Sequence, residues 1–211
     1  MTHNFDALMQ DFPMVAILRG IEPHEVLAHG KALIDAGFRI IEVPLNSPQP
    51  FDSIRLLQAA YGDTTLIGAG TVLTLAQLTE LVQTGAGLMV CPHTDVELIK
   101  AAKVAGLSAM PGFFTASEAF AALHAGADAV KLFPAEALPT INVVKALGAV
   151  IPAKTWLCPV GGVTPDNLAD YLNVGARGFG LGSALYRKGQ SLIQTTNNAQ
   201  AFAAAWEALR R

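Results

Sequence analysis

The sequence predicts an α/β protein with one (β/α)8 TIM-barrel domain spanning residues 1–211. A unit of amphipathic helix, glycine and short apolar strand recurs along the chain, and eight such strands can be counted. Parallel neighbouring strands need a crossover between them, and the repeated helices supply it. Eight units in 211 residues favour a closed barrel over an open sheet.

The predicted strands are rich in Val, Ile, Leu and Ala. They span residues 14–18, 39–43, 65–68, 87–91, 107–110, 128–132, 156–160 and 177–181. Further helices are expected within residues 1–12 and 190–211. Five strands follow a glycine that would end the preceding helix in the left-handed conformation. These glycines are Gly37, Gly85, Gly106, Gly126 and Gly175.

The predicted helices also begin with recognisable signals. Three threonines stand three residues before a Glu or Gln, which is the spacing of a capping box. The pairs are Thr74 with Gln77, Thr94 with Glu97, and Thr115 with Glu118, and Thr164-Pro165 is a fourth helix start. A doubly wound sheet is the alternative fold. It is disfavoured because Gly68-Ala69-Gly70 lacks the third glycine of a dinucleotide-binding loop.

Composition excludes several functional classes. The chain is 52% hydrophobic and carries a net charge of −3 without a basic block, so a nucleic-acid surface is not expected. No apolar run approaches the roughly 18–20 residues of a membrane span, and the first residues do not resemble a secretion signal. Cys91 and Cys158 lack metal or disulfide spacing, which fits a reduced cytoplasmic protein.

Ionisable residues interrupt three apolar strands near the end of the barrel that carries the chemistry in this fold. Period-two counting places Val15, Ile17 and Arg19 on one inward face, Ile40 and Glu42 on a second, and Ala129, Lys131 and Phe133 on a third. The opposite faces, such as Ile41 with Val43 and Val130 with Leu132, are apolar and should pack against helices. The three charged residues should therefore converge at one mouth of the barrel.

Burial gives these residues a chemical interpretation. A buried amine loses its proton more readily, so Lys131 is a candidate nucleophile for a carbonyl group. Glu42 is a candidate general acid and base. A structural ion pair between Lys131 and Glu42 is the alternative for both. Arg19 is either an anion clamp or a solvated strand end.

Glycine-rich turns follow the seventh and eighth predicted strands, where barrels commonly bind phosphate. Gly161-Gly162 and the segment Gly180–Ser183 would present backbone N–H groups, and a short helix is expected to begin near Ser183. Tight turns are the alternative. Thr71 places a hydroxyl group at the same rim, or else only caps a turn. His93 follows a strand but has no partner at metal-ligand spacing.

Four segments together resemble one family, the class I aldolases for 2-keto-3-deoxy-6-phosphogluconate and related sugar acids. They are Ala16-Ile17-Leu18-Arg19-Gly20, Ile41-Glu42-Val43-Pro44-Leu45-Asn46-Ser47-Pro48, Gly68-Ala69-Gly70-Thr71-Val72 and Val130-Lys131-Leu132-Phe133-Pro134-Ala135. The resemblance extends from Pro13 to Tyr186. It implies a Schiff base on Lys131, acid–base catalysis by Glu42, a homotrimer, and no metal or cofactor. The implied substrate contacts are Arg19, Thr71, Pro92, Phe133, Val160, Gly161, Gly162, Gly182 and Ser183.

Two positions depart from the gluconate-type pattern of the family. Asn46 stands where those enzymes typically have an arginine, and Val160 stands where they tend to have a threonine. Both departures resemble the phosphogalactonate enzymes. We therefore expect cleavage of 2-dehydro-3-deoxy-6-phosphogalactonate to pyruvate and glyceraldehyde 3-phosphate. The alternatives are the gluconate epimer, a metal-dependent aldolase or isomerase on the same barrel, and a phosphosugar sensor without catalysis.

Overall fold

The computed structural model describes residues 3–210. The predicted domain and its terminal helices also include Met1, Thr2 and Arg211, which lie outside the described residues. Eight parallel strands pair in the order β7-β6-β5-β4-β3-β2-β1-β8. A parallel bridge between Val160 and Gly180 joins the two remaining edges. The predicted single-domain (β/α)8 barrel is therefore confirmed. In the described part of the chain, no helix combines the length and apolar character needed to cross a membrane.

Strands and helices alternate along the described residues. The strands are β1 (Met14–Ile17), β2 (Ile40–Pro44), β3 (Leu66–Gly70), β4 (Leu88–Cys91), β5 (Ser108–Phe113), β6 (Ala129–Leu132), β7 (Trp156–Pro159) and β8 (Phe179–Leu181). The α-helices are α1 (Phe5–Asp11), α2 (Pro23–Asp35), α3 (Pro50–Tyr61), α4 (Leu75–Gln83), α5 (Val96–Val104), α6 (Ala116–His124), α7 (Thr140–Gly148), α8 (Leu168–Asn173) and α9 (Leu192–Leu209). Short 3₁₀ helices at Ala135–Ala137 and Pro165–Asn167 precede α7 and α8.

Two apolar layers flank the strands. The outer layer lies between the barrel and its helices and includes Ile41, Val43 and Leu132. The inner layer fills the barrel and includes Val15 and Ile40. This separation follows the predicted period-two pattern, because successive strand residues point to opposite faces of the sheet.

Helix α1 closes the end of the barrel opposite the strand termini that carry the charged residues. Phe5 and Met9 of α1 belong to the inner apolar layer, and Met9 is fully buried. The indole Nε1 of Trp156, at the start of β7, donates a hydrogen bond to the Asp6 carboxylate. Consequently, one end of the barrel is sealed and the other end holds the polar groups.

The junction glycines and one capping box confirm the local predictions. All five glycines have positive φ, with values of 108° at Gly37, 78° at Gly85, 81° at Gly106, 99° at Gly126 and 109° at Gly175. Thr115 and Glu118 form a reciprocal capping box at α6. Thr164 forms a box with Asn167 at the predicted helix start.

Other local predictions were wrong. The N-cap of α5 is Asp95 instead of Thr94, whose hydroxyl donates to the Gly112 carbonyl on β5. Thr74 caps α4, but the Gln77 side chain accepts from Leu73 N instead of completing a box. The segment that begins near Ser183 forms a hydrogen-bonded turn instead of the expected helix. At α4 and α5, a different hydrogen-bond partner replaced the one that spacing suggested.

Strands β3 and β5 extend beyond their predicted ends. Gly68, Ala69 and Gly70 pair with β2, although the glycines suggested a turn. A Cβ at Gly68 would lie 2.4 Å from the Leu88 carbonyl oxygen, so glycine here permits close approach of β4. On β5, Pro111 pairs with Cys91 inside the sheet. The longer strands bring Gly70 and Gly112 to the barrel mouth.

Candidate active site

Lys131 lies on β6 with its side chain inside the barrel mouth. Its strand neighbours are Gly112 on β5 and Cys158 on β7, and the residue is only 3% exposed. Its Nζ atom lies 4.6 Å from the centroid of the Phe133 ring. Burial lowers the pKa of Lys131, while the charge of Glu42 opposes this effect and that of Arg19 adds to it. The surroundings thus favour a neutral, nucleophilic amine.

Glu42 occupies the corresponding inward position on β2 and is 1% exposed. Its Oε2 atom is buried and has no hydrogen-bond partner within residues 3–210. A Cβ at Gly70 would lie 1.6 Å from that oxygen, so the glycine makes room for the carboxyl group. Burial raises the pKa of Glu42 to about 7, although Lys131 and Arg19 act in the opposite direction. A carboxyl group with this pKa can both donate and accept a proton near neutrality.

Lys131 and Glu42 interact through space without forming the predicted alternative, a close ion pair. Their charges influence each other's pKa values. Nevertheless, none of the ion pairs within 4.0 Å in residues 3–210 involves Lys131. Both groups therefore keep hydrogen-bonding capacity that a ligand between them could use.

Arg19 lies just beyond β1 and is exposed at the rim. Its Nη1 atom donates a 2.9 Å hydrogen bond to Oδ1 of Asn46, in the loop after β2. The backbone N–H of Gly20 donates to Oγ of Ser47 at 2.8 Å. These two bonds fasten the loops after β1 and β2 together. Asn46, noted in the sequence as a departure from the gluconate-type pattern, thus orients the guanidinium group.

A cavity of about 810 Å³ opens at this mouth of the barrel. Seven predicted contact residues line it: Arg19, Phe133, Val160, Gly161, Gly162, Gly182 and Ser183. Lys131 and Glu42 are not among its lining residues, but the Lys131 amine lies against the ring of Phe133, which is. Of the two other predicted contacts, Thr71 follows β3 with a strained φ of 56°, and Pro92 follows β4 with its carbonyl close to Gly112. Non-glycine residues in this backbone region are uncommon and cluster at functional sites.

Backbone N–H groups from two turns face the cavity. Gly161 and Gly162 have positive φ values of 110° and 69°, which favour glycine at both positions. The N–H groups of Gly162, Ser183 and Ala184 have no backbone acceptor within the described residues. Free N–H groups that converge on a cavity are suited to binding an anion such as phosphate.

The cavity-lining residues that the sequence did not identify include Glu136, Tyr186, Arg187 and Lys188. The Glu136 carboxylate lies against Gly161, where a Cβ would be far inside contact distance. The Arg187 Nε atom donates to the Ser183 carbonyl at 2.9 Å. The segment after Ser183 is a turn instead of the expected helix, and its Tyr186, Arg187 and Lys188 line the cavity. In the sequence, the only signal for these residues was the cationic pair Arg187-Lys188, which comes soon after the glycine-rich end of β8.

Other reactive side chains lie outside this arrangement. In the described part of the chain, no three His, Cys, Asp or Glu residues are grouped as a metal site would require. Burial raises the pKa of Cys91 to about 11, and its Sγ atom donates to the His93 carbonyl. Burial also raises the pKa of Cys158, which lies inside the barrel. Both thiols are thus held in their protonated form near neutrality.

A (β/α)8 barrel with a buried amine, a buried carboxyl group and an anion-binding rim defines the class of barrel enzymes that act on charged carbonyl compounds. The chain belongs to the KDPG and KHG aldolase family, whose model matches residues 5–204. It is therefore an aldolase, a carbon–carbon lyase.

Individual relatives agree with this assignment. The chain is 50% identical to 2-dehydro-3-deoxy-6-phosphogalactonate aldolase of Escherichia coli K12 over 92% of this chain and 94% of the relative. It is 33% identical to 2-dehydro-3-deoxy-phosphogluconate aldolase of Pseudoalteromonas atlantica, with 82% of each chain covered. A solved structure described as native KDPGal superposes with a TM-score of 0.93, at 48% identity and full coverage of both chains.

Proposed function

We propose that this enzyme cleaves 2-dehydro-3-deoxy-6-phosphogalactonate to pyruvate and glyceraldehyde 3-phosphate through a Schiff base on Lys131. The observation that carries the proposal is the buried Lys131 amine, which forms no ion pair within residues 3–210 and lies against Phe133 in the wall of a cavity whose rim presents free N–H groups. The amine supplies a nucleophile and the rim supplies a phosphate site.

The reaction begins when the neutral Lys131 amine attacks the C2 ketone, and loss of water gives an iminium ion. The iminium accepts the electron pair of the C3–C4 bond while Glu42, in its ionised form, takes the proton of the C4 hydroxyl group. Glyceraldehyde 3-phosphate leaves, and protonation of the remaining enamine followed by hydrolysis releases pyruvate and the free amine. No metal or organic cofactor enters this sequence.

The remaining side chains contact different parts of the substrate in this proposal. Arg19, oriented by Asn46, suits the carboxylate group, while Gly161, Gly162, Gly182 and Ser183 suit the phosphate. We assign Thr71 and Pro92, which follow β3 and β4, to the carbonyl end of the substrate, and Phe133 lies against the amine. Val160 offers the cavity an apolar surface where a threonine would offer a hydroxyl group.

Borohydride reduction in the presence of pyruvate tests the proposed covalent step. We expect mass spectrometry to find a reduced pyruvyl adduct on Lys131 in the wild-type protein, and none in Lys131→Arg, which keeps the charge but cannot form the imine. Activity should survive a strong chelator. A wild-type protein that cleaves its substrate without forming the adduct would overturn the Schiff-base mechanism, and inactivation by the chelator would favour a metal-dependent aldolase.

Substrate choice is tested by measuring pyruvate release from the galactonate and gluconate epimers side by side. The higher identity to the phosphogalactonate relative, 50% against 33% for the phosphogluconate relative, supports the galactonate epimer. We expect kcat/KM to be higher for the galactonate compound. Comparable values would contradict the stereochemical proposal but leave the aldol chemistry intact, because one lost hydrogen-bonding group rarely gives strict selection.

We further propose that the enzyme is a cytoplasmic homotrimer. Leu73, Leu75 and Phe114, which follow β3 and β5, are each more than 40% exposed and would be covered in an assembly. Cys91 and Cys158 are free thiols, as expected in a reducing compartment. Light scattering after size-exclusion chromatography should give three times the chain mass of 22.1 kDa, and a monomeric mass would contradict the trimer.

A further inference from the structure

Tyr186 closes the turn that carries the free N–H groups of Ser183 and Ala184. The N–H groups of Leu185 and Tyr186 both donate to the Gly182 carbonyl, at 2.8 and 3.0 Å, which defines the 182–186 turn. Tyr186 lines the cavity, yet it is only 2% exposed. Its hydroxyl group donates a 2.9 Å hydrogen bond to Oε1 of Glu25 on α2.

Glu25 is itself fixed by the start of its helix. The same Oε1 atom accepts a 3.2 Å hydrogen bond from the backbone N–H of Glu22, as part of the capping box of α2. Burial and the bond to Glu25 raise the pKa of Tyr186, so the phenol stays a donor. The hydroxyl group of the turn residue is thus tied to a rigid helix end.

The Tyr186 ring is held by a second contact. The ring of buried His29 packs edge-on against it, with centroids 5.1 Å apart and an interplanar angle of 78°. The His29 Nδ1 atom lies 2.9 Å from Oγ1 of Thr195 on α9. Burial lowers the pKa of His29, so the imidazole is neutral near pH 7 and acts as a packing and hydrogen-bonding group.

The backbone of the turn is tied to α9 as well. The Leu185 carbonyl accepts two 3.0 Å hydrogen bonds, from the side-chain amides of Gln190 and Asn198. In contrast, the N–H groups of Ser183 and Ala184, which both line the cavity, have no backbone acceptor within residues 3–210.

We infer that Tyr186 is a positioning residue for phosphate binding, acting through Glu25 to hold the N–H groups of the 182–186 turn at the distance a phosphate requires. This inference rests on the proposed function and deepens it. Tyr186 does not reach Lys131 or Glu42, so it affects the phosphate end of the substrate and leaves imine formation unaffected. The phosphate end contributes binding energy only when the turn is preorganised.

Tyr186→Phe tests the inference because it removes the bond to Glu25 and keeps the ring against His29. We expect an about tenfold rise in KM for the phosphorylated substrate, the size of effect produced by one hydrogen bond to a charged partner. Two readouts should stay at the wild-type level: kcat/KM for the same sugar acid without phosphate, and the rate of pyruvate trapping by borohydride. Equal losses for both sugar acids would indicate a purely structural role and overturn the inference.

Three further variants sharpen the test. Glu25→Gln keeps an oxygen acceptor for Tyr186 and a capping-box side chain, so it should retain a KM near that of the wild type, whereas Glu25→Ala should reproduce the rise. Tyr171→Phe is the matched control, since this buried tyrosine packs on Phe179 away from the cavity.

An unchanged KM in both Tyr186→Phe and Glu25→Ala would refute the positioning role. If the wild-type protein forms no pyruvate adduct, the proposed function fails instead. If the wild-type protein forms a normal adduct and the variants have an unaltered KM, only this inference is refuted.

Discussion

Burial of the Glu42 carboxyl group lowers the stability of the folded protein when that group is ionised. Its carboxyl group is buried inside the barrel, one oxygen has no partner in the described residues, and Lys131 and Arg19 only partly offset the desolvation. A group in such surroundings binds its proton more tightly in the folded protein than in the unfolded chain. The properties that suit Glu42 to proton transfer therefore reduce stability at neutral and alkaline pH.

Glu42→Gln should remove this cost. The rise in pKa from 4.5 to about 7 means that wild-type stability falls as pH rises above about 4.5, and that the loss is complete above pH 7. The stability advantage of the variant should therefore grow by roughly 2–3 kcal/mol between pH 5 and pH 8, while activity is largely lost. Urea unfolding at both pH values measures this difference. The control is Glu97→Gln on the surface, and a pH-independent difference for both variants would contradict the burial argument.

Gly70→Ala tests the space reserved for the same carboxyl group. The new Cβ would lie 1.6 Å from Oε2 of Glu42, so the side chain has to move away from its position beside Lys131. We expect kcat to fall at least tenfold, since small displacements of catalytic groups are costly. Pyruvate trapping on Lys131 should persist. Gly148→Ala at the end of α7, where the nearest atom is 3.4 Å away, is the control and should leave kcat unchanged.

At the scale of the secondary-structure elements, the ends of the helices are set by side chains that satisfy free N–H groups. Glu118 accepts hydrogen bonds from the backbone N–H groups of Phe114 and Thr115, which lowers its pKa. Thr115 in turn accepts from Glu118 N. On α5 the N-cap is Asp95, whose carboxylate accepts hydrogen bonds from the backbone N–H groups of Glu97 and Leu98. A carboxylate directly before the helix displaced the threonine that spacing had suggested.

Thr115→Ala should lower the free energy of unfolding by about 1 kcal/mol, because it removes one half of the capping box. Chemical denaturation measures the change, and KM should not shift. Thr79→Ala provides the comparison: its hydroxyl bonds to the Leu75 carbonyl within α4, where alanine is the better helix former. If the two variants were equally destabilised, the capping argument would not hold.

For the molecule as a whole, the barrel divides stability and chemistry between its two ends. Helix α1 fills one end with Phe5 and Met9, and the Asp6–Trp156 hydrogen bond anchors it. The other end holds buried charges, strained Thr71 and a cavity. Such a division is characteristic of this fold, in which conservation of packing and placement of chemistry occur at opposite ends.

Met9→Ala should therefore affect stability without affecting catalysis. Removing a fully buried side chain from the inner layer should cost about 2–5 kcal/mol, through lost burial and the cavity left behind. KM and kcat at a temperature where the variant is folded should match those of the wild type. A large change in KM would show that the sealed end and the cavity are coupled, contrary to this division.

The sequence was sufficient for the parts of the site that lie on strands. Lys131 and Glu42 were found because strand residues alternate between two faces, and a charge on an otherwise apolar inward face is visible without coordinates. The junction glycines were equally predictable, since a positive φ at a helix end is a local requirement. The ends of β3 and β5 were not, because Gly70 and Pro111 are residue types that disfavour strands locally, while neighbouring strands determine the pairing.

The sequence by itself determined the repeating fold, the alternation of faces and the identity of the buried amine, all of which depend on residues a few positions apart. Only the tertiary structure decided that Tyr186 bonds to Glu25, 161 positions earlier in the chain, and that Glu136 lies against Gly161. It also decided that Lys131 and Glu42 form no ion pair within 4.0 Å among residues 3–210. Periodicity is a local property of a chain, whereas the distance between two side chains depends on how every element between them packs.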